Sequence, residues 1–151
     1  MTLTIVREPP DSADARALIH EIVRDVASAY PAESRHGLGP GQLISEGVAF
    51  FVVRADGEPA GCGGVKLCEG YGEIKRLYVR PAFRGRGLGQ QMLLFLEGYA
   101  REHGCHVLYL QTGVYQTDAM RLYGRLGYKE IGPFGSYAGD PMNRFYEKRI
   151  P

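Results

Sequence analysis

The chain has 151 residues, 44% of them hydrophobic and 23% charged, which suits one globular domain around a single core. Eighteen basic against seventeen acidic side chains leave a net charge of +1, so no overall field favours nucleic acid or an anionic membrane. Three cysteines, Cys62, Cys68 and Cys105, cannot all pair, and neither a secretory leader nor a membrane-length apolar run is present, so a reduced, cytoplasmic setting is expected.

In chain order, "TLTIVRE" (2–8) predicts a strand ended by Pro9-Pro10, which cannot donate to a ladder. "DSADARALIHEIVRDVASAY" (11–30) has Ala15, Leu18, Ile19, Ile22, Val23 and Val26 at helical spacing, with Asp11 or Ser12 as cap and Pro31 as stop. A polar loop (31–41) and the short apolar segment "QLI" follow. "VAFFVVRAD" (48–56) and "PAGCGGVKLCE" (59–69) predict strands joined by the "DGE" turn, and "YGEIKRLYV" (71–79) a third. Alternation in that third strand would put Glu73, Lys75, Leu77 and Val79 on one face, with Ile74, Arg76 and Tyr78 on the other. Neither face is cleanly apolar, which fits a bulge.

A helix from Gly87 to Glu102 presents Leu88, Met92, Phe95, Leu96, Tyr99 and Ala100 to the core, and His103-Gly104 closes it. "HVLYLQTG" (106–113) predicts a strand and "TDAMRLYGRLG" (117–127) a helix. "YKEIGPF" and "NRFYEKRI" complete seven strands, joined by "GSYAGDPM". Antiparallel neighbours come first and a strand–helix–strand crossover sits in the middle. The expected class is α/β (α+β), a mixed sheet covered by helices.

The stretch Arg84-Gly85-Arg86-Gly87-Leu88-Gly89 joins a strand to a helix. It is not a dinucleotide fingerprint, because Gln90 stands where a glycine is required, and no Gly-Lys-Ser/Thr follows as in a Walker loop. What remains is a turn whose backbone N–H groups and helix dipole can close on an anion, with two arginines suited to a phosphate or pyrophosphate. A plain strand-to-helix turn with solvated arginines is the alternative.

These residues match the pyrophosphate signature Arg/Gln-x-x-Gly-x-Gly/Ala of the GNAT superfamily of acetyl-CoA-dependent N-acetyltransferases. "EIKRLYVRP" looks like that family's fourth strand, and "TDAMRLYGRLGY" like its later alanine–tyrosine–Gly-Phe/Tyr segment. The chain resembles the family over nearly its whole length, with two departures. Gln116 replaces the usual asparagine three residues before Ala119, and Gly127-Tyr128 replaces the commoner Gly-Phe, a change expected to matter little for packing.

The resemblance implies one N-acetyltransferase domain over 2–151, a largely antiparallel sheet of about seven strands, and acetyl-CoA as cosubstrate without a metal. It implies that the backbone of Leu77, Tyr78 and Val79 pairs with pantetheine, an N–H near Val79 facing the thioester oxygen. By the same resemblance Arg84, Gly85, Arg86, Gly87, Leu88 and Gly89 take the pyrophosphate, and Gln116 and Ala119 contact the cofactor. Tyr123 falls on the general-acid position. A phenol with an ordinary pKa near 10 stays protonated at neutral pH and can donate to a departing thiolate. Glu73 falls where several relatives carry a general base. A core tyrosine at 123, and a surface arrangement of Glu73 with Lys75 or Arg76, are the alternatives.

"HGCH" (103–106) lacks a second ligand cluster, so metal binding is not expected there. Glu33, Arg35, Tyr137 and Asp140 lie in segments that wall the acceptor pocket in relatives. The expected reaction is acetyl transfer to a primary amine of a small molecule, such as an amino acid or polyamine. Acetylation of a protein N-terminus or lysine, and a non-catalytic acyl-CoA-binding module, are the rivals. Many relatives pair, so a homodimer is also an expectation.

Overall fold

In a computed structural model of the chain, residues 1–29, 39–134 and 141–151 are described, the side chains of 26–29 excepted. Glu33, Arg35, Tyr137 and Asp140 lie outside the described residues. The elements are β1 (Leu3–Arg7), α1 (Ala13–Ala29), α2 (Pro40–Ser45), β2 (Ala49–Ala55), β3 (Glu58–Cys68) and β4 (Tyr71–Val79). A 3-10 turn (Pro81–Phe83) leads to α3 (Leu88–Glu102), β5 (Val107–Gly113), α4 (Thr117–Arg125), β6 (Lys129–Ile131) and β7 (Asn143–Arg149).

Local chemistry accounts for several boundaries. Ser12 caps α1, its Oγ accepting from the Ala15 N–H at 3.2 Å while donating to Glu8 at 2.8 Å. Asp56 and Gly57 both take positive φ, 50° and 84°, which gives the two-residue hairpin turn whose twist matches β2 and β3. The "QLI" segment falls within the short helix α2. The second helix of the crossover region ends at Arg125, two residues earlier than its sequence pattern, and β6 keeps only three residues of "YKEIGPF".

The seven strands form one sheet in the order β1-β2-β3-β4-β5-β7-β6. All neighbours are antiparallel except β4 and β5, which α3 connects as a parallel crossover. The mixed, largely antiparallel sheet expected from the sequence is therefore observed. On one face α3, through Met92, Leu93 and Leu96, and α4 pack over Ile74, Leu108 and Leu110, and on the other α1 and α2, the latter through Leu43, cover Phe50, Val52 and Cys62.

Two expectations about faces are corrected. In α3 the buried residues include Leu93 and Glu97, whereas Phe95 is 37% exposed and only lays its ring edge on Phe51, 4.9 Å between centroids. Glu97 tolerates burial because the Tyr128 hydroxyl donates to it at 2.9 Å and Lys148 Nζ pairs with it at 2.9 Å. So the tyrosine of Gly127-Tyr128 does more than fill the place of a phenylalanine. In β4, simple alternation fails. The register with β3 jumps between Cys62↔Tyr78 and Gly64↔Lys75, leaving Arg76 and Leu77 opposite Gly63, and Arg76 takes φ +54°. This bulge moves Leu77 onto the α3 face with Ile74, and Tyr78 onto the α1 face. Among the described residues, no helix is long and apolar enough to cross a membrane.

Candidate active site

The bulge opens the sheet. β4 and β5 share the pairs Gly72↔Leu108, Glu73↔Tyr109 and Ile74↔Leu110, so from Lys75 onward the β5-side edge of β4 has no strand beside it among the described residues. Two glycines of β3 make room for the displaced chain. A Cβ on Gly61 would collide with the Tyr78 carbonyl oxygen, and one on Gly63 would press on Leu96, Leu77 and Met92 at 3.1–3.2 Å.

Beside this open edge lies a cavity of about 410 Å³. Its walls are Leu77, Tyr78 and Val79 of β4, Arg84, Gly87, Leu88 and Gly89 of the glycine turn, and Gln116, Ala119 and Tyr123 around α4. All ten were anticipated from the sequence. Gly85, Arg86 and Glu73 do not line it. Phe83, Tyr115, Thr117 and Leu122 do, and they carry no sequence signal of their own beyond their place beside the motifs.

The turn itself is built for close approach. Gly85 and Gly87 have φ of 80° and 81°, the left-handed region that disfavours side chains, and Gly87 is the N-cap of α3. Among the described residues no side chain caps that helix, and its first backbone bond is from Gln91 N–H to the Gly87 carbonyl at 3.0 Å. The N–H groups of Leu88, Gly89 and Gln90 thus stand at the positive end of the helix dipole, beside the cavity. Gly89 is needed for packing instead, since a Cβ there would lie 3.1 Å from Leu122. Arg84 folds back, its Nε donating to the Val79 carbonyl at 2.8 Å and its guanidinium over the Tyr78 ring at 5.8 Å. Arg86 lies 5.9 Å over Phe83.

Tyr123 is buried between Tyr128 and Tyr146, ring centroids 5.9 and 5.8 Å away, and its backbone carbonyl accepts from the Tyr128 N–H at 2.9 Å. Burial, with a smaller contribution from Tyr146, pushes its hydroxyl well above the ordinary phenol range. It is both a core tyrosine and a wall of the cavity. Glu73 lies on the opposite, α1 side of the sheet, in line with Lys66 across the β3–β4 ladder. Lys75 Nζ pairs with it at 2.8 Å, and both side chains are nearly buried, so the pair is not the surface arrangement weighed from sequence.

The same side carries a group that sequence reading missed. The Gln111 amide donates to Asn143 Oδ1, and the buried Asn143 Nδ2 has no hydrogen-bond partner among the described residues. Cys62 is buried, its thiol donating to the Arg76 carbonyl at 3.3 Å, and burial raises its pKa out of the reactive range. Among the described residues no group of three or more His, Cys, Asp or Glu is placed to hold a metal.

Comparison with known proteins agrees with this geometry. The acetyltransferase (GNAT) family model matches residues 17–128. The chain is 40% identical over 150 residues to an IAA acetyltransferase of Azospirillum brasilense, covering 98% of each chain. A crystal structure from Klebsiella pneumoniae, described as an acyl-CoA N-acyltransferase, superposes with a TM-score of 0.80 at 35% identity, covering 99% of this chain and 98% of that one. A PaiA N-acetyltransferase of Thermoplasma acidophilum, solved with coenzyme A, shares the fold with a TM-score of 0.77 at 20% identity, covering 99% and 100%. The chain belongs to the acetyltransferase (GNAT) family and is an acyltransferase of the N-acetyltransferase type.

Proposed function

We propose that residues 2–151 act as one domain that moves the acetyl group of acetyl-CoA onto a primary amine of a small molecule. The observation that carries this is the open edge of β4, which meets the uncapped N-terminus of α3 and Tyr123 in one cavity. An edge of β4 without a neighbouring strand among the described residues suits the amides of a pantetheine arm. The glycine turn suits the pyrophosphate at the other end. A free thiolate of CoA is the leaving group, so a proton donor is needed where the arm ends.

In the reaction the amine nitrogen attacks the thioester carbon, a C–N bond forms, and the C–S bond breaks. A backbone N–H near Val79 would stabilise the oxygen as it gains charge, at no cost of reorientation. Tyr123 would hand its proton to the sulfur. Its raised pKa keeps the donor loaded but weakens the driving force, so transfer is favourable only if the same dry surroundings raise the thiolate's proton affinity too. Glu73 would take the amine proton, directly or through water. Tyr123 and Glu73 belong to opposite faces of the sheet, which matches a cofactor and an acceptor meeting at the gap between β4 and β5 from opposite sides.

The Azospirillum relative is named for IAA, which supports a small-molecule acceptor over a protein. The unbonded cysteines support a reducing, cytoplasmic setting. The test is CoA-thiol release from acetyl-CoA with panels of amines, amino acids and peptides, each product verified by mass. Release with at least one small amine is expected. Turnover with peptides alone would replace this reading with protein acetylation.

A further inference from the structure

A strand that loses a neighbour loses half its ladder, and something else must hold it. The second half of β4 is held from an unexpected direction. Glu21 of α1, 59 residues before Arg80 in sequence, is nearly encircled by donors from this segment. The Tyr78 hydroxyl donates to its Oε1 at 3.0 Å, and Arg80 Nε and Nη2 reach its Oε2 at 3.0 and 2.6 Å. Arg80 also ties back to β3, its Nη1 donating to the Pro59 carbonyl at 3.0 Å and its backbone N–H to the Ala60 carbonyl at 2.8 Å. The other end of the chain of contacts is the glycine turn. Arg84 sits over the same Tyr78 ring and bonds the Val79 carbonyl.

We propose that Glu21 is a positioning residue for acyl-CoA. Through Tyr78 and Arg80 it fixes the open edge of β4, and through Tyr78 it sets Arg84 beside the pyrophosphate turn, so the binding surface is formed before the cofactor arrives. It rests on the reading that acetyl-CoA lies along this edge. Pre-forming a surface removes an ordering cost from binding and leaves the chemical step alone. The charge-assisted, bidentate contact with Arg80 is the strong part of the device. Tyr78 contributes a fixed direction: its hydroxyl is driven up to about 12 by burial and by the Glu21 carboxylate, so it remains a donor across the working pH range.

The experiment is calorimetric titration of CoA into the full chain, comparing wild type with Glu21→Gln, Glu21→Ala, Tyr78→Phe and the Glu21→Gln/Tyr78→Phe pair. Glu21→Gln keeps the size and one carbonyl oxygen and should weaken CoA binding by up to about 10–150-fold, the loss expected for a charge-assisted hydrogen-bonded contact. The KM for acetyl-CoA should rise by the same factor with kcat within about twofold, a split that a purely structural lesion does not produce. The double variant should fall short of the product of the single losses, because both remove one contact. CoA affinity unchanged in folded Glu21→Gln and Glu21→Ala, whatever happens to their melting temperature, overturns the proposal while leaving acetyl transfer standing. A wild type that binds no CoA at all overturns the acetyl-transfer reading, and this inference with it.

Discussion

The two halves of β4 are held in different ways. From Gly72 to Ile74 the chain is buried and has ladder partners on both sides, Leu67, Lys66 and Val65 in β3 and Leu108, Tyr109 and Leu110 in β5. From Lys75 to Val79 it is half-buried and keeps only β3, with Arg76 in a left-handed conformation that costs on the order of 1–2 kcal/mol. The first half is ordinary architecture and places Glu73. The second gives up pairing to expose backbone amides, and it is fixed by side chains from α1 and from the glycine turn. One strand thus divides stability from binding, and substitutions in each half should separate the two.

The largest effect is expected at the boundary. Glu73→Gln should lower kcat/KM by about 10²–10⁴-fold if the carboxylate removes the amine proton, most steeply at acid pH where the amine is protonated. Its nearly buried partner Lys75 would lose the opposite charge, so the melting temperature should fall as well. A lower melting temperature with full turnover would make Glu73 structural. Next comes Ile74→Ala in the buried half, which should cost about 2–5 kcal/mol of stability by denaturant unfolding and leave CoA affinity per folded molecule unchanged. A parallel loss of affinity would blur the division between the halves.

Facing the exposed half, Tyr123→Phe should lower turnover by about 10²-fold with little change in CoA affinity. Because the ring packs between Tyr128 and Tyr146 and its hydroxyl makes no hydrogen bond among the described residues, stability should change little. Full activity in this variant would remove the general acid. The smallest effect concerns pH. Arg80, bonded to Glu21, holds that carboxyl below the ordinary carboxylate range, so its stabilisation is complete above the unfolded pKa of about 4.3. It is lost as pH falls through the lowered folded value. The difference in melting temperature between wild type and Glu21→Gln should therefore be constant near neutrality and shrink below about pH 4.

The parts legible in sequence were those written locally. Tyr71–Val79, the Asp56-Gly57 turn and the glycine run before α3 each carry their own residue-level cause, and ten predicted residues do surround one cavity. The illegible parts depend on distant partners. Glu97 is charged and reads as surface, yet Tyr128 and Lys148, 31 and 51 residues away, make its burial tolerable. β7 inserts between β5 and β6, an order set by pairing and by no local pattern. The bulge at Arg76 was legible in β4 as faces that are not cleanly apolar, but its position was not. Its trace lay across the ladder, in the dense glycines Gly61, Gly63 and Gly64 of β3.

The central claim is that acyl-CoA occupies the second half of β4 and the start of α3. Amide hydrogen exchange with and without CoA tests it residue by residue. Protection should rise at Leu77 and Val79 and at Leu88, Gly89 and Gln90, while Gly72 to Ile74, in ladders on both sides, should not change. Protection gained elsewhere, with these five amides untouched by saturating CoA, would contradict the account.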